Sequence, residues 1–210
     1  MKPKPTTLII VRHGQTIWNA QGRWQGWQDS PLTELGIEQA QTAATELRDY
    51  AVDRAFTSDA GRAVQTAEIL AAPHGLIAIP VPELRERNYG GYEGLTSVEI
   101  EERFPGSRYT AGRDTRENWR PPDGETLSEV RDRVAPFVEN LVRDFPGQTL
   151  LLVTHSGVVR VFDSICSGKS LDEIWSRQPP NACIFVLKAL VGHLEVERDF
   201  LPATENVLGK

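Results

Sequence analysis

The chain has 210 residues, 40% of them hydrophobic, and a net charge of −6 from 23 Lys+Arg against 29 Asp+Glu. That length suits one domain, read here as residues 1–210, with enough chain to bury a sizeable core. The acidic balance excludes a sequence-independent grip on nucleic acid or an anionic membrane, since both need a basic field. Local cations can still serve a small anionic substrate. Two cysteines, Cys166 and Cys183, with no CxxC pair, exclude a disulfide scaffold and a four-thiolate zinc site. The apolar run Leu8-Ile9-Ile10-Val11 is too short for a signal-peptide core, and no stretch approaches the roughly 18 apolar residues of a membrane span. The expectation is a soluble, cytoplasmic, enzyme-sized domain.

In chain order, Thr7 to Val11 predicts a buried strand, and Arg12 to Leu32 an aperiodic loop rich in tryptophan. Thr33 caps a helix whose Ile37, Ala40, Ala44 and Leu47 share one face. A strand from Arg54 to Thr57 leads into a helix beginning near Ser58-Asp59 with Ala63, Ala67 and Leu70 inward. After Gly75, Leu76 to Val81 predicts a strand, and Pro82 to Leu95 a glycine-rich loop. Thr96-Ser97-Val98-Glu99 and Thr126-Leu127-Ser128-Glu129 are capping boxes that open a short and a long helix. Pro136 is expected to kink the long one. Between them lies a polar stretch with Arg108, Arg113, Arg116 and Arg120, part of an expected cover segment at about 84–124. A strand from Thr149 to Thr154, a helix from Gly157 to Ser167, and a hairpin around Gly192 complete the chain. Strands alternating with helices predict an α/β sandwich with a mostly parallel central sheet.

Two histidines occupy equivalent settings. His13 follows the apolar strand through Arg12, His155 follows Leu150-Leu151-Leu152-Val153 through Thr154, and each is followed closely by glycine. Parallel strands present their carboxyl ends to ligands where strand order reverses. If the two strands are neighbours, both imidazoles meet in one crevice; the alternative is two half-buried histidines capping strand ends. Metal spacing such as HxH or HExxH is absent, and Arg12 would repel a divalent cation. Arginine suits an oxyanion instead, and Arg62, in the first turn of its helix, is a second candidate. A neutral imidazole beside such arginines can act as a phosphoryl nucleophile. The leaving alkoxide needs a carboxylic acid, for which Glu83, Glu86 and Glu93 all qualify. Trp24 and Trp119 have two readings, as walls of the pocket or as ordinary packing residues, and packing is the preferred one.

The ordered set Leu8-Ile9-Ile10-Val11-Arg12-His13-Gly14-Gln15-Thr16, Asp29-Ser30-Pro31-Leu32-Thr33-Glu34-Leu35-Gly36, Thr57-Ser58-Asp59-Ala60-Gly61-Arg62-Ala63, Leu84-Arg85-Glu86-Arg87-Asn88-Tyr89-Gly90 and Val153-Thr154-His155-Ser156-Gly157 resembles the histidine phosphatase superfamily, the phosphoglycerate mutase-like branch with an Arg-His-Gly motif. The resemblance implies a three-layer α/β/α sandwich. It implies His13 as the phosphorylated nucleophile, Arg12, Arg62 and His155 as the phosphate pocket, and Glu86 as the proton donor. Asn19 matches an amide that holds phosphate, with Thr16, Gln25, Gly26 and Ser156 as further substrate-binding positions. The family's chemistry needs no metal and no cofactor. The implied partner is a small-molecule phosphomonoester, and the family commonly forms homodimers, though no residue read here specifies one.

Within the family the phosphoryl group passes to water or to an alcohol of the substrate. The stretch from Glu86 to His155 is shorter than in the cofactor-dependent mutases, no lysine follows Gly94-Leu95, and no Arg-Arg pair occurs in the cover. Pro121-Pro122-Asp123-Gly124-Glu125-Thr126 resembles the phosphatase side. The expectation is a phosphomonoester hydrolase, with phosphoglycerate mutase the alternative. A catalytically silent phosphate-binding module is the third reading, and the presence of all five catalytic-type residues argues against it.

Overall fold

The computed structural model describes residues 4–106, 117–174 and 176–201; the cover arginines Arg108, Arg113 and Arg116 lie outside them. Side-chain alternation sets the layers. In β1 (Thr6–Arg12), Leu8 and Ile10 face one way and Ile9 and Val11 the other, all fully buried, so the strand needs cover on both sides. On one side α2 (Glu34–Leu47) and α3 (Gly61–Ala71) bring Ala43, Leu47, Ala63, Ala67 and Leu70 against it. On the other, α5 (Leu127–Asp144) and α6 (Ser156–Ser167) bring Val130, Val134, Val138, Val158 and Phe162. Each fully buried Val, Leu, Ile or Phe contributes about 1.5–3 kcal/mol, and each alanine methyl less. The result is the expected three-layer α/β/α sandwich.

The six-stranded sheet runs β3-β2-β4-β1-β5-β6, where β2 is Arg54–Thr57, β3 Ile79–Pro80, β4 Thr149–Thr154, β5 Ile184–Leu190 and β6 His193–Leu201. Strands β3, β2, β4 and β1 are parallel; β5 lies antiparallel to β1, and β6 closes a hairpin on β5. From β1 the chain crosses through α2 to β2, on one side; from β4 it crosses through α6 to β5, on the other. β1 and β4 are therefore neighbours whose connections diverge, and a crevice opens between their carboxyl ends.

The local structure departs from the sequence expectations at four places. The 12–32 loop contains a one-turn helix, α1 (Ile17–Ala20), capped by Thr16 and Asn19. The strand expected over 76–81 pairs only at Ile79 and Pro80, because it is a sheet edge where Pro80 lacks an N–H and Ile77 is exposed. The helix expected from Ser58-Asp59 begins at Gly61. A short α7 (Leu171–Ile174) follows Ser170, whose Oγ accepts from Glu173 N while Glu173 Oε2 accepts from Ser170 N, a capping box not recognised in the sequence. Pro136 lies within α5, which continues through it, and α4 (Ser97–Arg103) starts at its expected box.

Candidate active site

His13 sits one residue past β1, only 2% exposed, its N–H donating to Thr154 O at 2.9 Å. Its carbonyl accepts from Ala182 N and from Asn181 Nδ2, at 3.2 and 3.1 Å. Gly14 is required next: a Cβ there would lie 2.3 Å from Gly36 O, where α2 packs against the loop. His13 Nδ1 is 2.7 Å from Gly14 O. A carbonyl can only accept, so Nδ1 carries the proton and Nε2 keeps its lone pair. Burial, then Arg62, then Arg12 hold the imidazole pKa well below its usual 6.5, against the opposing Gly14 bond.

Arg62 enters from the start of α3. The N-cap residue Ala60 has no capping side chain; Asp29 takes that place, its Oδ1 accepting from Arg62 N at 3.4 Å and from Arg62 Nη1 at 2.8 Å. Gly61 permits this, since a Cβ there would stand 2.4 Å from Asp29 Oδ2. Arg62 Nη1 also donates to Gln28 O and Nη2 to Gly26 O, both at 2.8 Å. The guanidinium is 1% exposed and held at both ends, yet its Nε has no protein partner. Arg12 repeats the arrangement: Nη1 donates to Pro179 O at 2.7 Å and Nε is unpartnered. His155, fully buried at the N-cap of α6, stands edge-on to His13 with ring centroids 5.1 Å apart. Its Nε2 lies 2.8 Å from Ser58 Oγ and its Nδ1 has no partner. Burial, Arg62, His13, Arg12 and Arg133 all push its pKa well below 6.5.

Geometry chooses among the three glutamates. Glu93 is consumed structurally, accepting from the N–H groups of Trp27, Tyr89 and Gln28. Glu83 contributes its carbonyl to Arg133 Nη1. Glu86, 8% exposed, reaches the crevice: its Oε1 accepts from Arg87 N at 2.8 Å and from Gly157 N at 3.1 Å. Gly157 makes room for it, because a Cβ there would meet that oxygen at 2.3 Å. Arg133 Nη2 holds the Glu86 carbonyl at 3.0 Å, and the fully buried Arg87 ties the same loop to Glu125 O and Trp119 O.

A cavity of about 330 Å³ is lined by Arg12, His13, Arg62, Glu86, Asn19, Gln25, Gly26 and Ser156, with His155 packed against His13. Thr16, expected to bind substrate, instead stands in the wall. It is fully buried and its Oγ1 accepts from Asn19 N at 3.0 Å, so it caps α1 and does not line the cavity. Asn19 Oδ1 accepts from Thr16 N and Asn181 Nδ2, each at 3.2 Å, so the amide's remaining capacity is the donor NH2. Of the two tryptophans, Trp24 follows the wall reading: it lines the cavity and stands edge-on to Tyr89 at 4.7 Å, while Trp119 packs on Tyr92.

The sequence reading missed Ser58, Asn181, Tyr89, Arg160 and Gln178. Arg160 carried a signal, since it falls one helical turn past Ser156 on the same face of α6. Burial and the nearby Glu86 push the Tyr89 hydroxyl up to about 12. The lining carries four arginines, Arg12, Arg23, Arg62 and Arg160, against one carboxylate, in a chain of net charge −6. Such a concave cationic site concentrates anions. Among the described residues no three His, Cys, Asp or Glu side chains converge as a metal-ligand group, and no helix is long and apolar enough to cross a membrane.

Known proteins resemble this chain in sequence and in fold. A 2,3-bisphosphoglycerate-dependent phosphoglycerate mutase of Cytophaga hutchinsonii is 38% identical over 160 residues, 73% of either chain. The structure of Bacillus stearothermophilus YhfR superposes with a TM-score of 0.85 at 32% identity, covering 91% of this chain and 95% of that one. A mycobacterial glucosyl-3-phosphoglycerate phosphatase, solved in complex with VO3, gives 0.81 at 29% identity over 91% and 97%. Residues 8–198 match the profile of the histidine phosphatase superfamily (branch 1). The paired histidines at the switch point and this match across nearly the whole sequence place the chain in that superfamily.

Proposed function

We propose that the protein hydrolyses small phosphomonoesters through a phosphohistidine at His13, with Glu86 as proton donor. The observation that supports this reading best is the trio of buried nitrogens without protein partners, Arg12 Nε, Arg62 Nε and His155 Nδ1, around an imidazole held neutral. Each unsatisfied buried polar group costs about 1–3 kcal/mol. Arg12 and Arg62 line the cavity and the His155 ring stands 5.1 Å from that of His13, so a ligand oxyanion beside His13 suits all three. In the first step the His13 Nε2 lone pair attacks phosphorus in line, the bond to the leaving oxygen breaks, and the Glu86 carboxyl gives that oxygen its proton. In the second, the Glu86 carboxylate takes a proton from water, the water oxygen attacks phosphorus, and the N–P bond breaks. Phosphate leaves, the imidazole is neutral again, and Glu86 is reprotonated.

The phosphoglycerate mutase reading is favoured by the 38% identity to proteins named as such. Against it stand the missing lysine after Gly94-Leu95 and the missing Arg-Arg pair. Rapid-quench mass spectrometry of the intact protein with a phosphomonoester panel separates them. The expected result is a transient acid-labile adduct on His13 with free phosphate released. The same adduct with 3-phosphoglycerate converted to 2-phosphoglycerate and little phosphate lost overturns the hydrolase reading in favour of the mutase. No adduct and no turnover on any ester overturns both.

A further inference from the structure

Ser58 is fully buried just beyond β2, where its N–H donates to Val153 O at 2.9 Å. Its Oγ accepts from Ala60 N at 3.3 Å. The hydroxyl proton needs an acceptor of its own, because bulk water does not reach the group. Among the described residues, the acceptor within hydrogen-bond distance of that oxygen is His155 Nε2, at 2.8 Å. If Nε2 carried the imidazole proton, it would donate to Ser58 Oγ and strand the hydroxyl proton, at a cost of about 1–3 kcal/mol. We infer that Ser58 is a positioning residue that donates to His155 Nε2, fixes the Nδ1–H tautomer, and so makes Nδ1 a hydrogen-bond donor to a phosphoryl oxygen.

Three further observations agree. The imidazole is fully buried beside Arg12 and Arg62, which keeps it neutral with a single N–H. Nδ1 is the ring nitrogen left without a protein partner. Among the other unpartnered nitrogens, Arg12 Nε and Arg62 Nε belong to arginines that line the same cavity as His13, and both are donors by nature. With Nδ1 protonated, all three are of one kind and match a phosphoryl group that only accepts. With Nε2 protonated, Nδ1 would turn a lone pair toward that group and repel it. The ligand half of this inference rests on the proposed phosphohydrolase reading; the tautomer half does not.

Long-range nitrogen–proton NMR of histidine-labelled protein tests it, with the His155 signals identified through His155→Gln. The wild type is expected to show a protonated Nδ1 and an unprotonated Nε2 at His155. Ser58→Ala is expected to give a mixture of tautomers and to weaken orthovanadate binding about tenfold, the scale of one hydrogen bond to a charged oxygen. Ser58→Thr, which keeps the hydroxyl, should restore both. A wild-type Nε2–H tautomer overturns the inference outright, even if Ser58→Ala fails to fold. An unchanged tautomer in a folded Ser58→Ala reduces Ser58 to a turn cap and overturns it too. A shifted tautomer with unchanged vanadate affinity overturns the ligand half. Failure of the hydrolase reading shows separately, as wild-type protein that forms no adduct while its tautomer is as stated.

Discussion

The carboxyl ends of β1 and β4 offer nearly the same local sequence, an apolar strand, a polar residue, a histidine and a glycine close behind, yet they deliver opposite imidazole faces. His13 is oriented by its own chain, through the carbonyl of the next residue at 2.7 Å, and presents a lone pair. His155 is oriented by Ser58, contributed by a different βα unit, and presents an N–H. One ring can attack phosphorus and the other can hold its oxygens. The difference comes from which ring nitrogen is anchored, since both rings are buried and both are held neutral by the same two arginines.

This contrast predicts unequal mutants. His13→Ala removes the nucleophile and is expected to lower kcat at least about 10⁴-fold and abolish the quenched adduct. His155→Ala removes one oxyanion donor and is expected to cost about 10²–10³-fold with the adduct still detectable; equal losses in steady-state turnover would erase the distinction. Gly157→Ala comes next. Its Cβ would sit 2.3 Å from Glu86 Oε1, so the acid must shift. In single-turnover experiments, formation of the His13 adduct should slow about 10²-fold with alkyl phosphates and stay near the wild-type rate with p-nitrophenyl phosphate, whose leaving group needs no proton, while breakdown of the adduct slows equally for both. A uniform loss in adduct formation across leaving groups would remove Glu86 from the protonation step.

The mildest effect is on stability, where the two histidines should behave alike. Both folded-state pKa values lie below 6.5. Between those values and 6.5 the unfolded chain binds more protons than the folded one. Stability should therefore be fully present above about pH 6.5 and fall as pH drops, by up to about 1.4 kcal/mol per pH unit for each histidine. Denaturant titrations at several pH values measure this slope, and His155→Gln should reduce it. A slope of the opposite sign would mean that the rings are charged in the folded protein.

Much of this was legible in the sequence, for local reasons. Leu8-Ile9-Ile10-Val11 and Leu150-Leu151-Leu152-Val153 are apolar at every position, which marks central strands and so marks the residues just past their carboxyl ends as crevice residues. Glu86 could not be separated from Glu83 and Glu93 by pattern, because the choice depends on a backbone N–H of Gly157 from α6. Ser58 and Asn181 act on residues 97 and 162 positions away, His155 and Asn19, and no periodicity encodes such contacts. Thr16 enters the substrate set only through the family resemblance; its helix-cap role rests on the quieter threonine-to-asparagine spacing, which the structure shows as a capping box.

The placement of β1 has a consequence for how the molecule comes into being. The strand that carries His13 is synthesised before the rest of the sheet, yet it occupies the interior of that sheet, with Thr7 beside Thr149 and Val11 beside Ile184. A nascent chain therefore exposes four consecutive aliphatic residues until both late partners have left the ribosome, a long-range closure of the kind that slows folding and invites association with other chains. The crevice cannot preexist in a fragment that stops short of β4, since one of its two walls would be missing. The crevice is thus assembled late in translation, once β4 has joined β1.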